Sequence, residues 1–143
     1  MSDDPLDDAV RRFLTEPVRP AILATVRADG RAHAVPVWYD LDDDGSVLFN
    51  TGDSTVKGRN LARTGRAALT VQEPAPPFAF VSLEGPVTLL DDLDQVRAWA
   101  GRIGGRYMGA DRAEAFGARN GVPGELLVRL VPESVTSAFD VSA

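Results

Sequence analysis

The feature that most limits what this chain can become is the change of period at residue 21. Ala21 to Arg27 is an apolar run with β-branched residues, Asp29-Gly30 follows it, and His33 to Tyr39 resumes the same character. Asp-Gly between two such runs predicts a tight hairpin, because both central positions of a type I′ turn take positive φ. A second acidic turn, Asp42-Asp43-Asp44-Gly45, separates that pair from Ser46 to Asn50, so the sequence predicts three antiparallel strands in a meander. Arg66 to Glu73 and Phe78 to Leu90 read as two further strands, with Pro74, Pro76 and Pro77 making their connection irregular. Glu125 to Phe139 alternates as a sixth strand, Leu127, Arg129 and Val131 opposing Leu126, Val128 and Leu130.

Helical spacing fills the intervals. Leu6, Val10, Phe13 and Leu14 form a stripe from Pro5 to Thr15, behind Asp3, Asp4, Asp7 and Asp8, which suit the positive end of a helix. Asp53-Ser54-Thr55 is a cluster of capping residues before Val56 to Thr64, and Gly65 closes that helix. Leu93, Val96, Ala100, Ile103 and Tyr107 give a longer stripe, followed by a weaker patch from Asp111 to Arg119 and a break at Gly121-Val122-Pro123-Gly124. Six strands with helices between them predict an α+β fold whose antiparallel sheet curls into a small barrel. With no internal repeat and no long linker, residues 1–143 read as a single domain.

Composition narrows the chemistry. The net charge of −6 has the wrong sign for a chain whose main partner is nucleic acid or an anionic membrane. There is no cysteine and one histidine, His33, which excludes thiolate chemistry, disulfides and zinc sites built from Cys and His. Asp42 to Asp44 and Asp91, Asp92 and Asp94 lack the spacing of a calcium loop and read as solvated turns and helix starts. No Walker loop, Rossmann fingerprint or nucleophile elbow is present. The start Met-Ser-Asp-Asp-Pro has neither a basic nor an apolar stretch, and no run reaches a membrane span of about 18 residues, so a cytoplasmic protein is expected.

The informative segment is Asn50 to Leu61. A helix amino terminus favours acidic side chains, yet this one carries Lys57 and Arg59. A bound anion would reverse the sign of that arrangement, since backbone N–H groups, the hydroxyls of Ser54 and Thr55 and both cations could meet one phosphate. The alternative is a solvated helix end. Fourteen of the fifteen basic residues are arginine, and Lys57 is the only lysine. Trp38 and Tyr39 either flank a flat ligand or fill the core, and His33 has no partner placed to make it a general base.

The element order, the turn within Ala21 to Pro36, the string Asn50 to Leu61 and the run Phe80-Val81-Ser82-Leu83-Glu84-Gly85-Pro86-Val87 resemble the pyridoxamine 5′-phosphate oxidase-like split barrels over nearly the whole chain. Val-Pro-Val-Trp before an acidic turn and the ending Val128-Arg129-Leu130-Val131-Pro132 are most similar to the actinobacterial flavin/deazaflavin oxidoreductases, B type, that use coenzyme F420. The resemblance implies a six-stranded antiparallel split barrel with short flanking helices, working as a homodimer with the coenzyme at the subunit interface. By that resemblance Lys57 takes the phosphate, with Ser54, Thr55, Val56, Arg59 and Asn60 near it. Val35, Pro36, Val37 and Trp38 would lie beside the ring system and Asn50, Thr51 and Gly52 along the ribityl chain. Phe78 and Phe80 would approach from the second subunit. The implied reaction is hydride transfer from F420H2 to a flat, electron-poor organic substrate, with no catalytic protein nucleophile and no metal. An FMN-dependent enzyme or a non-enzymatic flavin-, F420- or haem-binding module on the same fold is the alternative. Ser137 to Ala143 lacks the arginine and histidine with which true pyridoxamine phosphate oxidases hold their substrate, so that activity is not expected.

Overall fold

A computed structural model describes residues 6–143, and it shows eight strands and four helices among them. The helix α1 spans Asp8–Thr15; its expected start at Pro5 and the acidic Asp3 and Asp4 lie outside the described residues. Asp7 caps it by accepting from the Val10 N–H at 2.8 Å, and Val10, Phe13 and Leu14 form its buried stripe. Strands β1 (Ala21–Val26) and β2 (Ala32–Val37) then pair antiparallel in the expected register, with Ala24 opposite Ala34.

Their connecting turn departs from the expected type I′. Gly30 has φ of 90°, whereas Phe78 is the one non-glycine with positive φ among the described residues, so Asp29 does not take the left-handed conformation. The Gly30 N–H donates to the Arg27 carbonyl and the Arg27 N–H to the Arg31 carbonyl, which makes a three-residue loop ending in a left-handed glycine. The same pattern recurs from Asp42 to Ser46 with Gly45 at φ 87°.

The expected meander is corrected. After Val37 the chain leaves the sheet at Trp38-Tyr39, because the Tyr39 phenol turns inward and donates to the Leu14 carbonyl at the end of α1 at 2.6 Å. A two-residue strand β3 (Asp40–Leu41) pairs with β4 (Val47–Gly52), and β4 lies beside the last part of the chain rather than beside β2. Helix α2 (Val56–Thr64) follows, then β5 (Arg66–Glu73) and the twelve-residue β6 (Ala79–Leu90). Helix α3 (Leu93–Met108) and helix α4 (Ala113–Asn120) precede β7 (Glu125–Leu130) and β8 (Ser134–Ala138).

The six-strand expectation is therefore also corrected to eight. The predicted strand from Glu125 to Phe139 is two strands, since Pro132 has no N–H to continue a ladder and the chain steps across at Val131 to Glu133. Strand β6 joins the two halves: Ala79 to Pro86 pairs with β5, Phe80 to Glu84 also pairs with β8, and Val87 to Leu90 pairs with β7. The strands run in the order β2-β1-β5-β6-β7-β4-β3, a curled antiparallel sheet in an α+β fold. Its concave side holds the main core, including Leu23, Tyr39, Phe49, Leu69, Val81 and Leu130, and a smaller core of Leu48, Val96 and Leu127 seats α3.

Candidate functional site

Where β2 ends, β4, the start of α2 and the α3–α4 pair surround a cavity of about 370 Å³. On one side it is lined by Pro36, Val37, Trp38, Asn50 and Lys57, with Pro20 beside them. The local sequence explains how these residues arrive together. Thr55 caps α2, its hydroxyl accepting from the Gly58 N–H at 3.0 Å and donating to the Gly52 carbonyl at 2.8 Å, so the helix start is tied to the end of β4. A Cβ at residue 58 would stand 2.1 Å from the Gly52 oxygen, which only glycine avoids. Lys57 is thereby held half-buried in the first turn, and it has no ion pair among the described residues.

Asn50 adds an unsatisfied donor. Its Nδ2 is buried without a hydrogen-bond partner, although Asn50 lines the cavity. Such a group is destabilising by roughly 1–3 kcal/mol unless something meets it. An apolar wall, an unmatched amide donor and an unpaired ammonium within one cavity form a donor set suited to a flat molecule that also bears an anionic group.

The other residues singled out from sequence lie elsewhere. Val35 packs against the main core. Thr51 is buried with its hydroxyl 3.1 Å from that of Thr55, while Gly52 ends β4, and Ser54 and Val56 are exposed. Arg59 folds back, donating twice to the Ser54 carbonyl at 3.1 and 2.8 Å. Asn60 is buried, its Nδ2 donating to the Thr25 hydroxyl at 3.0 Å and its Oδ1 accepting from Arg63, so it ties α2 to β1. Phe78 is exposed before β6, and Phe80 is half-buried on β6 opposite Gln72 and Ala138. His33 sits on β2 opposite the buried Thr25, outside the cavity lining, with Nδ1 buried and unpartnered. No group of three or more His, Cys, Asp or Glu able to hold a metal ion occurs among the described residues.

Sequence reasoning missed the opposite wall, made by Ala100, Ile103, Gly104, Phe116 and Asn120. The signal was the set of glycines inside these helices, Gly101, Gly104, Gly105 and Gly117, which let α3 and α4 pack closely. Trp38 connects the two walls. It lies flat on Tyr107 of α3, with centroids 4.9 Å apart and planes at 3°, and meets Phe116 edge-on at 5.8 Å. The Tyr107 hydroxyl donates to the Arg19 carbonyl at 2.7 Å and also accepts from the Tyr39 N–H at 3.4 Å. Burial raises the phenols of both Tyr39 and Tyr107 above the ordinary tyrosine range, and for Tyr39 the neighbouring Tyr107 adds to this while Arg106 opposes it.

The sequence profile described as pyridoxamine 5′-phosphate oxidase matches residues 6–138. No curated protein matches the chain. Among solved structures it is similar to the conserved hypothetical protein Rv2991 from Mycobacterium tuberculosis, at 22% identity and a TM-score of 0.79, covering 96% of this chain and 87% of that one. An F420 reductase, also 22% identical, superimposes with a TM-score of 0.69 over 87% of this chain and 94% of its own. A pyridoxamine 5′-phosphate oxidase-related, FMN-binding protein from Nostoc punctiforme is 20% identical, with a TM-score of 0.64 over 90% of this chain and 78% of its own. At these identities the three structures share the fold.

Proposed function

The chain belongs to the pyridoxamine 5′-phosphate oxidase family, and from that premise we propose that it is an oxidoreductase that binds the deazaflavin coenzyme F420 and passes hydride from its reduced form to a flat, electron-poor organic acceptor. One observation carries this reading: the chain's single lysine, unpaired at the start of α2, shares a cavity with the unpartnered Asn50 amide and with the Trp38 and Phe116 rings. The structural likeness to an F420 reductase supports the choice of coenzyme.

When bound, the reduced deazaflavin supplies a two-electron hydride, and the protein's part is binding and orientation. Lys57 holds the phosphate by a charge-assisted hydrogen bond. Asn50 Nδ2 gains the acceptor that the protein does not provide, which orients the polar side chain of the coenzyme. Pro36, Val37 and Trp38 would form an apolar wall beside the ring system and keep water from it.

The active unit in this proposal is a homodimer. The face of the sheet bearing Ile22 and Val26, both nearly half exposed, opens into an apolar recess of about 460 Å³ lined by Ala24, Val26, Ala32 and Ala68. Arg66 and Glu84 also line this recess, and an apolar face that carries one charge of each sign is suited to an isologous contact. A second copy seated there would bring Phe78 and Phe80 toward its neighbour's coenzyme. Light scattering at micromolar concentration is expected to give about twice the chain mass of 15.3 kDa, and a monomer with full coenzyme affinity would remove both phenylalanines from the site.

A parallel titration with F420, FMN and haem tests the function. Micromolar binding of F420 with a change in its fluorescence, and weaker binding of the other two, is the expected result. Preference for FMN would transfer the same site to flavin chemistry, and binding of none would sink the proposal.

A further inference from the structure

We infer that the α3–α4 side of the cavity is a subsite for a planar acceptor bearing a carboxylate, with Arg112 and Arg119 recognising the anion and Phe116 and Trp38 the ring. This rests on the coenzyme reading, which leaves that side of the cavity to the second substrate.

The ring part of the subsite is fixed from outside. Trp38 is stacked on Tyr107, whose hydroxyl is anchored to the backbone at Arg19 and at Tyr39, so the indole plane has little freedom. Phe116 is seated directly on α3: a Cβ at Gly104 would approach its Cβ to 2.4 Å. Two aromatic rings at 65° with an apolar floor at Ile103 offer a flat molecule one edge and one partial face.

The charge is the discriminating element. The guanidinium carbons of Arg112 and Arg119 lie 5.5 and 5.9 Å from the centroid of the Phe116 ring, which lines the cavity. Neither guanidinium has an ion pair or hydrogen bond among the described residues. Most other arginines are engaged: Arg19, Arg31, Arg66, Arg102, Arg106 and Arg129 face carboxylates, and Arg59 and Arg63 donate to backbone carbonyls. Arg112 also occupies the N-cap of α4 without making a capping hydrogen bond. In a chain of net charge −6 an anionic acceptor is repelled at long range, so two guanidiniums without an anion partner, both against the Phe116 ring that lines the cavity, set a local preference against the global field.

The test uses anthraquinone-2-carboxylate and its neutral counterpart anthraquinone-2-carboxamide, titrated into the dimeric or monomeric protein as purified, with and without F420. The carboxylate is expected to bind about tenfold more tightly than the carboxamide, and the preference should shrink with added salt. In the double variant Arg112→Gln, Arg119→Gln the two probes should bind alike, while the F420 dissociation constant stays within about twofold and the thermal midpoint is unchanged. Equal affinity for both probes in the wild type, or a preference that survives the double substitution, overturns the inference. If the double variant weakens F420 itself and not the carboxylate probe, the anion recognised there belongs to the coenzyme, and the inference also falls. Failure of the coenzyme reading shows separately, as absence of F420 binding in the wild type, and the titrations without coenzyme then decide the anion preference directly.

Discussion

The polar part of one cavity wall is a single stretch of chain, Asn50 to Lys57, in which a strand end, a capping threonine and a helix start follow one another; the opposite wall joins Ile103, Gly104, Phe116 and Asn120 from two helices that meet only on folding. The first is organised by local polar contacts: Thr55 to Gly52 and Gly58, Arg59 to Ser54, Asn60 to Thr25. The second is organised by close packing, with glycines admitting Phe116 against α3. Binding and stability should therefore separate between the walls. On the local wall a side chain can serve the ligand without supporting the fold, whereas on the packed wall the same atoms do both.

The largest effect should come from the packed wall. Phe116→Ala removes a ring that is 9% exposed and is expected to destabilise the protein by about 3–5 kcal/mol in chemical denaturation. A loss under about 1 kcal/mol would mean that α4 is held by something other than this ring. On the local wall, Lys57→Ala should weaken F420 by about 10- to 150-fold, the value of a charge-assisted hydrogen bond of roughly 1.5–3 kcal/mol. Its denaturation midpoint should not move, and affinity for the dephosphorylated deazaflavin should be nearly unchanged. Equal weakening of both ligands would remove the phosphate from Lys57.

Asn60→Ala sharpens the contrast within the local wall itself. It should cost about 1–2 kcal/mol of stability by leaving the Thr25 hydroxyl without its buried donor, with coenzyme affinity changed less than threefold. The smallest effect is expected for Tyr39→Phe, about 0.5–1 kcal/mol, because the Leu14 carbonyl keeps its second donor, Arg106, at 2.9 Å. Its pH dependence is more telling. The folded phenol titrates above its unfolded value, so its contribution is complete below about pH 10 and is lost as pH rises past the ordinary tyrosine pKa. Denaturation midpoints between about pH 9 and 11 should fall more steeply for the wild type than for Tyr39→Phe, with Tyr107 contributing the slope that remains.

This division also explains what the amino-acid sequence disclosed. The helices, the first hairpin and the Asn50–Lys57 wall rest on signals contained within a dozen residues: a capping threonine, an Asp-Gly turn, a lone lysine where acids are favoured. The position of β4 did not, because alternation names a strand but not its neighbour, and nothing near Ser46 says that it pairs with β7 almost eighty residues later. Pro132 stands in the sequence, yet the alternation before it hides the step it imposes between β7 and β8. Asn60 and Arg59 carry the right chemistry for an anion in sequence, and only tertiary packing turns one toward Thr25 and the other back upon Ser54. The Phe116 wall depends on a contact between helices that no local pattern encodes.

Strand β6 has a consequence for how the chain reaches this structure. Both of its remaining edges wait for residues near the carboxyl end: β8 pairs with its first half and β7 with its second. Until residues 125–138 leave the ribosome, β4 and β6 present unpaired edges beside apolar faces, the situation in which nascent chains associate with the wrong partner. The pairing that completes the sheet is also long in sequence separation, which slows folding in proportion to the entropy of closing those loops. Refolding from denaturant is thus expected to be slow for a chain of this length, with the β6 amides gaining hydrogen-exchange protection only in the final cooperative step.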